Sequence, residues 1–308
     1  MKIGYPCINY SIGKKTVSTF RLSSYTEEKF IQCVNYNLAV LVEILKFNIA
    51  NNLMFFRISS DVIPFASHPI CKFDWKDYFK SDFIKIGQLI KHNNIRISMH
   101  PDQFVIINAK SQEIVNNSIR ELEYHIDLLD LMELDYSSKV QIHIGGVYGD
   151  KEKSKKQFIS NYKTLLSENI KNRLVIENDD HLYHLKDCME IHEYTGIPIL
   201  FDVFHHLCFD NNLPLNIALQ ISSNTWNRNK DGIMMIDYSN QELNQRKGKH
   251  SHTLDIKQFE KFIISVSNLD VDIMLEIKDK EKSAKKAIEV INKINGRATA
   301  NLNYQLYL

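Results

Sequence analysis

Leu174-Val175-Ile176-Glu177-Asn178-Asp179-Asp180 (residues 174–180) is a short apolar run that stops on acid. Residues 174–177 read as a strand too short and too apolar to be half-exposed, so it belongs in the middle of a covered sheet. Its last side chain is a carboxylate. The same pattern recurs on both sides. Upstream, strands are expected over 2–5, ending at Tyr5; over 53–59, carrying Arg57 and Ser59; over 96–100, ending at His100; and over 140–144, carrying His143. Downstream they are expected over 198–202, ending at Asp202; 233–238, carrying Asp237; and 272–276, ending at Glu276.

Helical spacing fills the intervals. Thr26 reads as an N-cap with Glu27 and Glu28 in the first turn, followed by the stripe Phe30, Val34, Leu38, Leu41, Leu45, Ile49. Further helices are expected near 78–92, 112–132, 154–167, 185–194 (stopped before Gly196 and Pro198), 215–221, 256–267 and 281–294. Eight alternating strand–helix units in 308 residues predict an α/β fold, a (β/α)8 TIM barrel, as a single domain over 1–308. A doubly wound open sheet is the alternative, but neither GxGxxG nor GxxxxGK[ST] occurs.

In such a barrel the strand ends converge on one mouth, where active sites form. Several buried carboxylates together are costly unless cations share them. The candidate metal ligands are His68, His100, His143, Glu177, Asp202, His205, Asp237, His250 and Glu276. Mixed imidazole and carboxylate donors suit zinc, manganese or iron. Nine donors exceed the needs of one ion, so two or three ions are expected, with Glu177 bridging. Two-metal hydrolysis of a phosphate ester is the natural chemistry, and sugar isomerisation remains open on the same donors. Of His205 and His206 one is expected to face away. Asp179 and Asp180 either orient ligand imidazoles or cap the next helix. His92, His125, His181, His184 and His192 show no metal pattern.

A net charge of +1 does not announce a nucleic-acid partner, so a DNA enzyme would need its basic residues gathered on one face. The basic clusters at 151–156, 171–173, 246–250 and 278–286 read first as solvated surface. Five scattered cysteines without a CxxC pair favour free thiols in a reducing, cytoplasmic setting. No secretory leader and no membrane span are expected.

The motifs FRISSDVIPFASHP (56–69), SMHPDQF (98–104), HIGGVYGDK (143–151), IENDD (176–180), LFDVFHH (200–206) and LEIKDKE (275–281) resemble those of the UV damage endonucleases, in order and over nearly the whole chain. The resemblance implies a TIM barrel with up to three divalent ions, commonly manganese (zinc, magnesium or cobalt being alternatives). It implies a monomer acting on damaged double-stranded DNA, incising immediately 5′ to a photoproduct and leaving a 3′-hydroxyl and a 5′-phosphate. It places His68, His100, His143, Glu177, Asp202, His205, His250 and Glu276 at ligand positions, with Glu177 and Glu276 in the catalytic set. Gln103 and Phe104 match the pair that probes distorted DNA, and Tyr5 a residue near the scissile phosphate, counted with both the catalytic and the DNA-contacting groups.

Three departures stand out. Met235 and Asp237 occupy positions where the family usually has Lys and His, and Phe104 stands where Tyr is common. Asp237 keeps ligand character with shorter reach and a negative charge. His252 beside His250 is a further candidate donor. An active endonuclease is the leading expectation. A lesion-binding protein with weakened catalysis and a metal-dependent sugar isomerase are the alternatives.

Overall fold

Strand parity organises the molecule. The computed structural model describes residues 1–209 and 212–305, with side chains described as far as Gly296; of the expected domain 1–308, residues 210, 211 and 306–308 lie outside the description. Eight parallel strands close into one barrel: β1 (Ile3–Pro6), β2 (Phe55–Ile58), β3 (Arg96–Met99), β4 (Lys139–His143), β5 (Leu174–Glu177), β6 (Ile199–Asp202), β7 (Met234–Tyr238) and β8 (Val271–Leu275). Each pairs with its sequence neighbour, and β8 returns to β1 through Ile3↔Ile273.

Alternate residues face opposite ways. One set, including Phe56, Ile58, Ile97, Ile142, Ile176, Phe201 and Ile236, packs under the outer helices in the main core. The other set points into the barrel. There Phe55, Val175, Leu200, Met235 and Met274 form a separate apolar plug. Each stands two residues before a polar one: Arg57, Glu177, Asp202, Asp237 and Glu276. The period of two therefore stacks a polar ring directly above an apolar one.

The helices follow the apolar periodicity, with differences at their ends. Thr26 caps Glu27–Ala50 by accepting from the Lys29 amide, as expected. The helix expected from 154 starts at Lys151, because the Asp150 side chain accepts from the Lys153 amide. The helix expected over 78–92 is two, Trp75–Tyr78 and Lys80–His92, joined at Phe79. Gly196, at φ 71°, ends Leu185–Thr195 in a left-handed turn. Short helices Glu168–Arg173, Val203–Cys208 and Arg228–Asp231 are additions to the expected set. Glu27–Ala50 is the one helix among the described residues long and apolar enough, by length and composition alone, to cross a membrane; half of its apolar window is buried within the fold, as in a helix packed on a core.

Candidate metal centre

β5 ends in Glu177, which is buried, and register sets His143 of β4 directly beside it. Three imidazoles surround the carboxylate. His205 Nδ1 lies 3.2 Å from Oε1, while His100 Nε2 and His143 Nε2 lie 3.5 and 3.8 Å from Oε2. Two ligand groups therefore share Glu177: His100, His143 and Glu177, and Glu177, Asp202 and His205. Within each, the donor atoms lie within 4.8 Å of one another.

Asp202 shows what the mouth lacks. Its Oδ1 accepts from the His205 amide at 2.7 Å and caps Val203–Cys208, which turns His205 back over Glu177. Its Oδ2 is buried without a hydrogen-bond partner, as are Nδ1 of His100 and of His143. An orphaned buried carboxylate oxygen among imidazoles is a poor protein interior and a good cation site. The donor set thus fits divalent metal.

The electrostatics agree. Burial pushes His100 down to about 4, against the pull of Glu177, so this ring is a neutral donor at pH 7. Burial would also lower His205, but the Asp202 and Glu177 carboxylates hold it well above its ordinary value. Burial works against the Glu177 charge, and His143 and His205 hold it well below the usual carboxylate range. A proton on His205 is thus part of the counter-charge of this acidic mouth.

A third group, Asp202, Asp237 and Glu276, completes the rim. Register places Asp237 of β7 beside Asp202. Both Asp237 oxygens are engaged: Arg57 Nη2 donates to them at 2.9 and 2.7 Å, and Gln141 Nε2 donates to Oδ2 at 2.8 Å. Arg57 Nη1 pairs with Glu276 Oε1. Burial opposes the Glu276 charge, but Arg57 holds its carboxyl at about 2. Arg57 appears in the strand-end pattern, yet its role and that of Gln141 escape a reading based on ligand-type residues. Gln141 lies two residues before His143 on the same inward face, and that spacing was the available signal.

The other expected residues separate. His250 stands at the edge: its Nδ1 meets the Glu276 carbonyl at 2.9 Å, and its ring lies 5.9 Å from that of His205. His68 is exposed on a loop, Nδ1 accepting from the Ile70 amide, and joins none of the ligand groups. It lines a cavity of about 690 Å³ with Phe65, Phe104, Arg120, Glu121 and Tyr124. Gln103 and Phe104 project into solvent, Phe104 at 65% exposure.

Tyr5 requires a correction. It is 0% exposed and points outward to the helix layer; its hydroxyl donates to Asn48 Oδ1 at 2.5 Å and accepts from Asn9 Nδ2 at 2.7 Å. Strand parity turns this ring away from the mouth, where it could touch neither DNA nor a reacting atom. Asp179 Oδ1 accepts from the amides of His181, Leu182 and Tyr183, which holds the turn before Leu185–Thr195; the cap of that helix is His184. His206 faces away, with Nε2 at 2.9 Å from the Leu213 carbonyl. His252 is exposed and belongs to none of the ligand groups. Met235 lies inside the dry plug, not at the mouth. In the basic run 151–156, Lys151 and Lys155 are tied to Asp187 and Glu190.

Comparison with known proteins settles the kinship. The UV DNA damage endonuclease of Clostridium perfringens (strain 13 / Type A) is 40% identical over 296 residues, 96% of this chain and 72% of that protein. The crystal structure of SacUVDE superposes with a TM-score of 0.91 at 45% identity, over 96% of this chain and 99% of that one. An L-ribulose 3-epimerase shares the barrel alone, at TM-score 0.57 and 14% identity over 86% of this chain and 92% of that one. The model of the family described as UV-endonuclease UvdE matches residues 1–305, and the chain belongs to that family.

Proposed function

We propose that this DNA endonuclease repairs UV damage by incising the phosphodiester immediately 5′ to a photoproduct, using two or more divalent ions held at the barrel mouth. The observation that carries the reading is Glu177, one carboxylate shared by two ligand groups with three imidazoles between 3.2 and 3.8 Å. Held there, divalent ions supply Lewis acidity for phosphodiester hydrolysis. Glu177 holds the two ligand groups at one spacing, and His100, His143, Asp202, His205, Glu276 and His250 complete the donor set. In the reaction, water oxygen bonds to phosphorus and the P–O3′ bond breaks. The proton lost by water is balanced by the one O3′ gains, which leaves a 3′-hydroxyl and a 5′-phosphate.

Manganese is the proposed metal, with zinc, magnesium and cobalt as competitors, because availability decides among such donors. Gln103 and Phe104 fit a probe for lesion-weakened DNA: they are exposed, and Phe104 borders the 690 Å³ cavity. His68 lines the same cavity and stands outside the ligand groups. The working unit we propose is the whole chain as one domain, a cytoplasmic monomer on double-stranded DNA. Arg57's hold on Asp237 favours one second reading, lesion binding with weakened hydrolysis.

The test uses an end-labelled duplex with one defined photoproduct, incubated with manganese. Cutting directly 5′ to the lesion, lost with EDTA and in Glu177→Gln, is the expected outcome. Lesion-specific binding without any cut, across manganese, magnesium, zinc and cobalt, would overturn the nuclease reading in favour of the second.

A further inference from the structure

Of the three ligand groups at the mouth, the one without an imidazole, Asp202, Asp237 and Glu276, already has a cation on two of its members, Asp237 and Glu276. Arg57 rises from β2 through the barrel with its side chain 4% exposed, and its target Asp237 is fully buried. The contacts leave little room. Arg57 Nη2 reaches both Asp237 oxygens and also donates to Gln141 Oε1 at 2.8 Å, while Nη1 takes Glu276 Oε1. Gln141 returns its amide to Asp237 Oδ2 at 2.8 Å and to Glu177 Oε2 at 2.9 Å.

We propose that Arg57 is a built-in cation occupying the Asp202–Asp237–Glu276 group, so that divalent ions bind only at the two Glu177-centred groups and Asp237 anchors Arg57 instead of ligating metal. The inference rests on the metal-dependent reading of the site. Its physical basis is local. Guanidinium is permanently charged and presents fixed donors that suit carboxylates. A divalent ion in the same group would sit against that charge in a buried setting, where like charges repel strongly. Asp237 is the matching half: both of its oxygens accept from Arg57, which an imidazole there could not do.

Arg57 also acts at a distance. Gln141 touches Arg57 at its carbonyl and Glu177 at its amide, so its orientation is set by the guanidinium. That fixes the amide which holds Glu177 Oε2. Arg57 is thus a positioning residue for the shared carboxylate.

The experiment is a metal count. Purified protein is loaded with manganese, freed of excess by gel filtration, and analysed for metal per chain, alongside Asp237→Asn, Arg57→Met and Arg57→Lys. The expected result is two ions in the wild type, two in Asp237→Asn, and a third in Arg57→Met, whose acidic group has lost its cation. Arg57→Lys keeps a positive charge and holds two, which covers the case in which Arg57→Met does not fold. Three ions in the wild type, or loss of one in Asp237→Asn, would overturn the inference and leave the metal-dependent reading standing. A wild-type chain holding none would overturn both.

Discussion

The two ends of the barrel are both charged, but on opposite terms. At the N-terminal end the charges are closed pairs. Arg96 meets Asp272 at 2.9 Å, with its guanidinium between the rings of Phe55 and Trp226, and Lys139 meets Asp231 and the Asn172 carbonyl. At the C-terminal end four carboxylates, Glu177, Asp202, Asp237 and Glu276, face one guanidinium and the His205 imidazole, and an Asp202 oxygen has no hydrogen-bond partner. The plug of Phe55, Val175, Leu200, Met235 and Met274 keeps the two apart. A closed pair needs nothing from outside and serves the fold. An open set pays its desolvation cost until a ligand arrives, and so it serves binding.

That contrast is breakable. At the open end, Glu177→Gln is expected to lower incision by about 10³-fold or more, since it disrupts both ligand groups at once. The same change should leave thermal unfolding of the metal-free protein unchanged or slightly raised. A Glu177→Gln protein that unfolds far more easily without metal would put this carboxylate in the structural class. At the closed end, Arg96→Met strands Asp272 in the interior and should cost ~3–5 kcal/mol in urea unfolding. Its single-turnover incision rate, measured where the protein is still folded, should stay at the wild-type value.

Metal itself separates the ends. Manganese at about 100 times its dissociation constant should stabilise the fold by ~2.7 kcal/mol. Arg96→Met should keep that increment and Glu177→Gln should lose most of it, as read by thermal melts with and without EDTA. Protons compete for the open end. His205 carries a raised value, so its imidazolium contributes stability to the metal-free protein that is present below the ordinary histidine value and is lost as pH rises through the folded one. Metal binding in that window must release the proton, so affinity rises with pH. His100, already near 4, releases none. Calorimetry in buffers of different ionisation enthalpy counts the protons; none released at pH 7 would contradict this account. The smallest effect is expected in the plug between the ends. Met235→Leu conserves volume in a dry layer and should cost under ~1.5 kcal/mol with incision unchanged.

The barrel and most of its rim were legible in the sequence because the signals are local. A strand of alternating faces announces itself by its apolar run, and one ending in His or acid announces a mouth. Parity was the unread part. Tyr5 was placed by its position at a strand end, although the ring falls on the outward face and under the Asn48 side chain. The role of Arg57, and Gln141 altogether, stay hidden in the sequence for the converse reason: they are neither acids nor imidazoles, and only the closed sheet brings them to Asp237, 180 and 96 positions away. His68 depends on a loop, which strand logic does not place. Short helices such as Val203–Cys208 are too brief to show a period, and Asp202 starts that one with an oxygen the reading had reserved for metal.

The pairing of β8 with β1 also has a consequence in time. Ile273 meets Ile3 across nearly the whole length of the chain, and Glu276 follows directly after β8. While a ribosome is still making the protein, every product that ends before β8 is an open sheet with two bare edges and a mouth missing one wall. Cutting ability therefore arrives all at once and late, and a prematurely released fragment is a candidate for degradation rather than a stray nuclease loose on the chromosome.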